Sequence, residues 1–461
     1  MRQRLLRGFG AQGISQAVQI FIRLAEVPLF LHFWGAQGYG EWLMVAAIPA
    51  YLTIADGGFA GAASRDMSMR SAAGDQSGAL AVYQSIWLLL LGVSSLLVVA
   101  AYLALEALPL AQWLGFQFID QASIKVVLLL LVAHVLVGFQ GGLINGGFWC
   151  SGRYPLGMLL AAFTAFIEFG ALALTIALGG GPIAAAAAFL GGRVAGTFLT
   201  WFVLRFATPW LHYGWRRASV GEIRRLTTPA FASLAFPLGN AMNIQGMRLI
   251  VGVVLGPAAV AVFSATRTLA RLAMQPRAVI NKLMQPEMAF AYGRGNISQF
   301  QFLFKRSCQA AFWSAATASL ALAVVGSYLF GAWTSDQFSL NWLLFAALLT
   351  GSVVDGVWYA ALMVMYATNR HQAAAMYYVI VYGLAAFILA WLTATITGIA
   401  GVGLALLISD VAMAIYIVPK ATSLANISLK EWLNNLVTPP TWLLTVAAKH
   451  FFNQKISFPP S

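Results

Sequence analysis

Five polar residues interrupt the first long apolar stretch of this 461-residue chain: Gln12, Gln16, Gln19, Arg23 and Glu26, spaced 4, 3, 4 and 3 apart. At about 100° per residue that spacing puts all five on one face of a helix. A guanidinium at the centre of a bilayer costs roughly 2.5 to 3.5 kcal/mol on insertion scales, so the stripe must face water, another helix or a solute rather than lipid. Arg23 and Glu26 are close enough along the helix to pair. Three glutamines continuing the same face extend the polar track beyond what one ion pair requires.

Other charged residues fall deep within apolar stretches: Arg193, Arg248, Arg267 and Arg271, opposed by Glu168, Asp355 and Asp410. Glu168 and Arg193 lie mid-way along consecutive stretches and are expected to neutralise each other. The rest leave an excess of cations, all of them arginine. The fixed guanidinium fork gives two parallel hydrogen bonds to adjacent phosphate oxygens, whereas an ammonium is a point charge. Arg23, Arg248, Arg267 and Arg271 are therefore candidate contacts to a phosphate-bearing or acidic solute, with Gln12, Gln16 and Gln19 beside them. Glu26 and Asp355 are candidate ion-coupling carboxylates. Asp410 suits either coupling or helix packing. Asp56, followed by Gly57 and Gly58, reads as a helix terminus, and Arg277 with Lys282 as the inner end of a long basic helix.

These residues need a membrane scaffold. The chain is 60% hydrophobic and 9% charged, against about 25% charged in soluble domains. Apolar runs able to cross a core of about 30 Å lie near 8–34, 41–63, 80–105, 124–148, 156–178 and 183–205, then near 229–255, 258–285, 307–330, 339–366, 373–396 and 399–419. The expected fold is all-α and polytopic: twelve transmembrane helices in two six-helix lobes around a central cavity. An N-terminal lobe would span 1–211, a basic cytoplasmic linker 212–228 and a C-terminal lobe 229–420. A tail over 421–461 is amphipathic and too short to span. Trp432, Leu433, Leu436, Trp442 and Leu443, with Lys430, Lys449 and Lys455, are expected to hold it on the inner surface. A faint repeat supports the division, since Gly35 with Trp42 recurs as Gly256 with Phe263.

The net charge of +13 is a matter of topology rather than of nucleic acid. With the N-terminus inside, the inner loops hold Arg65, Arg70, Arg153, the linker arginines, Arg294 and Arg370, while the outer side holds Lys125 with Glu41, Glu106, Asp120 and Asp336. That asymmetry places both ends in the cytoplasm. The basic Met1–Gly8 segment precedes a span too long and polar for a cleaved signal. Cys150 and Cys308 are expected as free thiols, and no cofactor or metal site is expected from two cysteines and five scattered histidines.

Several stretches in order resemble one family. The arginine-bearing polar first span, the turn Gly35-Ala36-Gln37-Gly38-Tyr39-Gly40-Glu41-Trp42, and Ala55-Asp56-Gly57-Gly58-Phe59 before Arg65 resemble the polysaccharide transporter branch of the multidrug/oligosaccharidyl-lipid/polysaccharide exporter superfamily. These are the Wzx-like O-antigen and exopolysaccharide flippases. The motifs cover about the first 80 residues, and the six-plus-six plan extends the likeness to about residue 420. The resemblance implies a V-shaped pair of lobes around a cationic cavity, in the bacterial inner membrane. It implies translocation of undecaprenyl-pyrophosphate-linked oligosaccharide repeat units by alternating access, with Na+ or H+ as candidate coupling ion and other polysaccharide-assembly membrane proteins as candidate partners. Arg23 and Arg248 match positions where such flippases place basic cavity residues. The span-seven arginine is displaced by a few residues from its repeat partner.

Two rival functions have distinct signatures. A cation-coupled drug antiporter of the same superfamily would line its site with carboxylates, against the excess of deep arginine. A membrane-embedded sugar polymerase or ligase would need a water-facing domain or long outer loop with an acid/base pair, and the expected outer loops do not exceed about 20 residues. A transporter rather than an enzyme is expected.

Overall fold

A computed structural model describes residues 2–107, 110–232, 234–368 and 370–440. The side chains of Arg2 to Gly8 and of Lys282, and all of Trp442, Leu443, Lys449 and Lys455, lie outside the described residues. Every regular element among the described residues is helical. They are α1 (Arg2–Ala50), α2 (Phe59–Ala72), α3 (Gln76–Ala107), α4 (Leu110–Trp113), α5 (Gln121–Cys150), α6 (Tyr154–Ala177), α7 (Pro182–Ala207), α8 (Val220–Ala232) and α9 (Ala235–Ala241). There follow α10 (Met247–Leu255), α11 (Pro257–Ala270), α12 (Gln275–Gly293), α13 (Ile297–Thr334), α14 (Trp342–Ala367), α15 (Gln372–Tyr377), α16 (Ala386–Thr397), α17 (Ile399–Leu424) and α18 (Leu429–Val437).

Ten helical stretches are long and apolar enough to cross a membrane, and local chemistry accounts for the difference from twelve. The first stretch, Gly10–Ile54, contains two expected spans, joined where Gly35 takes φ 66°, ψ −176°, a conformation open essentially to glycine alone. Expected span eight is α11, a 3₁₀ turn at Arg271–Met274 and α12. Its arginines and lysine remove it from an apolar tally. Pro276, at the start of α12, terminates the preceding helical ladder because it lacks an N–H. Gly256 takes φ 89°, ψ 165°, matching Gly35 at the corresponding turn, and Trp42 and Phe263 are both buried. The repeat seen in the sequence is thus a repeated backbone turn. Gly40 lies so close to the carbonyl of Pro257 that a Cβ there could not fit.

The chain forms two compact units. Unit 1 comprises Met1–Thr268, Gly331–Ser339 and Phe387–Val402; unit 2 comprises Leu269–Phe330, Leu340–Ala386 and Gly403–Ser461. In unit 1, α6 packs on α7, α5 on α7 and α2, and α1 on α6. Glycines permit the closest approaches: Gly192 sits against the backbone of Glu168 and Gly196 against Thr164. A core of Met67, Tyr83, Ile86, Leu143, Phe148 and Leu204 fills the space between α2, α3, α5 and α7. In unit 2, Trp358 on α14 is buried and its indole donates to Asp410 Oδ1 at 3.1 Å, which makes Asp410 a packing acceptor.

The described part of the tail is anchored to α13 by two of its apolar side chains. Trp432 and Leu436 on α18 are buried, with Trp432 stacked on Phe304. Lys305 pairs with Glu431 at 2.9 Å, and Trp313 Nε1 donates to the carbonyls of Leu436 and Thr438 at 3.1 Å. The Trp432 and Leu436 side of α18 therefore packs on α13, while Leu429, Leu433 and Val437 stay exposed. Cys150 and Cys308 are free and buried.

Candidate functional site

The polar stripe occupies the first half of α1, with Gln12, Gln16 and Glu26 half-buried and Gln19 and Arg23 exposed. The Glu26 carboxylate lies within Coulombic reach of Arg248 and, more weakly, Arg23. Arg248 is held at the start of α10, where its Nη1 donates to Gln245 Oε1 at 3.1 Å. Two guanidinium groups thus act on one carboxylate, leaving a positive surplus. Tyr39 feels both Glu26 and Arg248 and stacks on Phe30 at 5.2 Å, so an aromatic wall flanks the charges.

The family-like turn has a structural reason of its own. Glu41 is fully buried, and its two oxygens accept backbone N–H groups from Gln117 (2.7 Å), Phe118 (3.0 Å) and Ile119 (2.7 Å) and the Gln37 amide (2.7 Å). From sequence alone Glu41 is expected as an acidic residue of the outer side. It instead clamps the segment preceding α5 to α1, and Trp42 packs with Phe30 and Trp34 beside it.

Arg267 is placed differently from the other candidate cations. It is buried on α11, with Nη1 donating to the Asn243 carbonyl at 2.9 Å and Nη2 to Asn243 Oδ1. Asn243 belongs to a π-helical turn, Met242–Gly246, between α9 and α10. A π turn shifts the hydrogen-bond ladder by a residue and leaves backbone groups to be satisfied elsewhere, which the guanidinium does here. The same turn carries Gln245, the partner of Arg248.

A second centre in unit 1 is a cavity of 490 Å³ whose wall includes Asp56, His134, Phe139, Phe189 and Arg193. Arg193 Nε lies 3.0 Å from Glu168 Oε1, as the sequence led one to expect. His134, which the sequence reading did not single out, completes a triad: its Nε2 is 3.2 Å from Glu168 Oε2 and 3.2 Å from Arg193 Nε, and its ring stacks on Phe189 at 4.0 Å. One ring nitrogen cannot donate to the carboxylate and accept from the guanidinium at once, so the two contacts belong to different protonation arrangements. Asp56 Oδ1 accepts from the Gly58 N–H at 2.8 Å, and Gly57 and Gly58 have φ of 61° and 73°. The terminus read from the sequence is present.

In unit 2 Asp355 is buried and forms an ion pair with Arg277, whose guanidinium lies 4.4 Å from the centre of the Tyr359 ring. Arg271, in the 3₁₀ turn, also acts on Asp355. Asp355 thus has a partner that the sequence did not disclose, and Arg277 points to a carboxylate rather than toward a helix end. No group of three or more metal-ligating side chains occurs among the described residues.

No family model matches the sequence, and neither does any curated protein. Solved structures do. A multidrug resistance MATE family transporter of the MOP superfamily, inward-facing, aligns with a TM-score of 0.65 at 18% identity over 89% of this chain and 99% of its own. The lipid II flippase MurJ, in an inward closed conformation, aligns at 0.70 and 14% identity over 97% and 93%. The fold is similar to that of these transporters. It contains the twelve helices expected from the sequence. A further MOP superfamily transporter, from Pyrococcus furiosus, aligns at 0.66 and 15% identity over 92% and 95%, and is described as having a binding pocket of reverse polarity that suggests a different function. Within this fold, then, pocket polarity must be read from each chain's own residues.

Proposed function

We propose that the chain is a flippase that carries undecaprenyl-pyrophosphate-linked oligosaccharide units across the bacterial inner membrane by alternating access. The observation that carries this reading is that two arginines, Arg248 and Arg23, lie within electrostatic reach of Glu26 while neither forms a direct ion pair with it among the described residues. A cationic solute would be repelled by that surplus, whereas a pyrophosphate supplies the missing anionic partners through charge-assisted hydrogen bonds. Gln12, Gln16 and Gln19 line the route for sugar hydroxyls. Arg267 acts through position, fixing the π turn that carries Gln245 and leads into Arg248. Arg271 acts on the Asp355 carboxylate beside Arg277. Glu26 and Asp355 are the proposed coupling carboxylates for Na+ or H+. The loop cations support an orientation with both ends in the cytoplasm.

Arg23→Ala tests this reading in cells. The variant should reach the membrane folded but stall polysaccharide export, and normal surface polysaccharide would contradict it. A drug antiporter is the second reading, favoured by the likeness to the MATE transporter and by the carboxylate of Asp56 in the 490 Å³ cavity. Robust efflux of cationic dyes would decide for it.

A further inference from the structure

A groove of 640 Å³ runs along α3 beneath the segment that precedes α8, lined by Leu88, Leu89, Gly92, Leu96, Trp215 and Ile223 among others. The segment over it is firmly built. Gln84 Oε1 accepts from the Arg217 N–H at 3.0 Å, Ser85 Oγ accepts from the Ser219 N–H at 2.8 Å, and Gln84 Nε2 donates to the His212 carbonyl at 3.3 Å. Tyr213 stacks on Tyr83 and Trp87, at 5.5 and 4.9 Å. Despite this rigidity Trp215 is 74% exposed and Val220 80%. Arg216, Arg217 and Arg224 are also exposed, next in sequence to groove residues, and their guanidinium groups make no ion pair or hydrogen bond among the described residues.

The position of the groove along α3 identifies its environment. The helix has 32 residues, about 48 Å at 1.5 Å per residue, whereas about 20 residues cross the hydrocarbon core. Gln84 and Ser85 are its last polar side chains before the apolar run that begins at Ile86. The groove therefore starts where the helix enters hydrocarbon, and Trp215 with its neighbouring arginines sits at headgroup level, where tryptophan and arginine are favoured.

We propose that this groove is a binding site for an anionic phospholipid of the bilayer, with an acyl chain along Leu88 to Leu96 and the headgroup phosphate taken by Arg216 and Arg217. An apolar channel with unpaired guanidinium groups at its wet end matches an acyl chain and a phosphate together. Nothing in this assignment depends on which solute the protein transports.

Native mass spectrometry of the full-length protein, offered phosphatidylglycerol or phosphatidylcholine, tests it. Wild-type protein should retain phosphatidylglycerol in preference by roughly thirtyfold, the value expected for two arginines at a membrane surface. R216Q/R217Q should reduce that preference to near unity. Gly92→Trp, at a groove position where an added Cβ meets nothing within 4 Å, should put its ring in the groove and lower retention of both lipids while the protein stays folded. Equal retention of the two lipids by the wild type, or wild-type retention by either variant, would overturn the proposal.

Discussion

The indole of Trp333 donates to the carbonyl of Leu24 at 2.7 Å. That carbonyl would ordinarily accept the N–H of the residue four positions on, but position 28 is proline and has none. The bond therefore replaces a missing rung of α1 one residue beyond Arg23 and two before Glu26. Trp333→Phe keeps the ring but leaves the carbonyl without this donor, and should lower stability by about 1 to 3 kcal/mol. In a Pro28→Ala background the helix can supply its own N–H, so the same change should cost much less. Thermal unfolding of the four proteins in detergent gives the coupling, and equal effects in both backgrounds would contradict it.

A cluster of charges joins α2 to α8. Arg225 makes two hydrogen bonds to Asp66, at 2.7 and 2.6 Å, and also pairs with Glu222; Arg70 reaches both acids. The Arg225 hydrogen bonds, helped by Arg70, pull the Asp66 carboxyl below its ordinary value of 3.8. A lowered carboxyl pKa adds stability that is complete above 3.8 and is lost as pH falls through the lowered value. Hydrogen exchange of α8 should therefore be flat from neutral pH down to about 4 and then, after correction for the intrinsic rate, accelerate. Asp66→Asn should remove that acid-side step and cost about 1 to 2 kcal/mol at neutral pH, a modest value because Arg225 is half in solvent. An acid step that persists in the variant would assign it to another group.

Asp355 and Arg277 separate a packing role from a coupling role. Asp355→Asn alone leaves a mostly buried guanidinium without its anion and should destabilise unit 2 by about 3 to 5 kcal/mol. Adding Arg277→Gln removes the stranded charge, and thermal unfolding should recover most of the loss. If Asp355 couples ion movement to transport, the stabilised double variant still fails to transport against a gradient. Recovery of transport along with stability would reduce Asp355 to a packing residue.

What the sequence disclosed and what it did not divide along physical lines. Features set by local periodicity or by one residue's backbone freedom could be read directly: the polar stripe ending at Glu26, the apolar spans, and the paired turns at Gly35 and Gly256. The Glu168–Arg193 pair was also accessible, because the two lie mid-way along consecutive helices. Arg277–Asp355 was not, since the partners are separated by much of unit 2 and nothing in either local pattern refers to the other. Arg267 looked like a free cation because its use depends on the π turn at Asn243, a one-residue shift with no clear signature in composition. His134 passed as one histidine in an apolar run, although its spacing from Glu168 and Arg193 along neighbouring helices could have raised it. Glu41 reads as a loop acid because the donors it accepts from are backbone N–H groups, which no sequence pattern marks.

The account rests on Arg23 and Arg248 presenting surplus positive charge to an anionic substrate. Its most direct test is equilibrium binding of an undecaprenyl-pyrophosphate-linked oligosaccharide, and separately of a cationic dye, to the purified protein in nanodiscs. The account predicts binding of the pyrophosphate lipid, weakened roughly 10- to 100-fold in each of Arg23→Ala and Arg248→Ala, as loss of a charge-assisted hydrogen bond requires, with no saturable dye binding. Saturable dye binding, together with pyrophosphate-lipid affinity unchanged by either substitution, would contradict it.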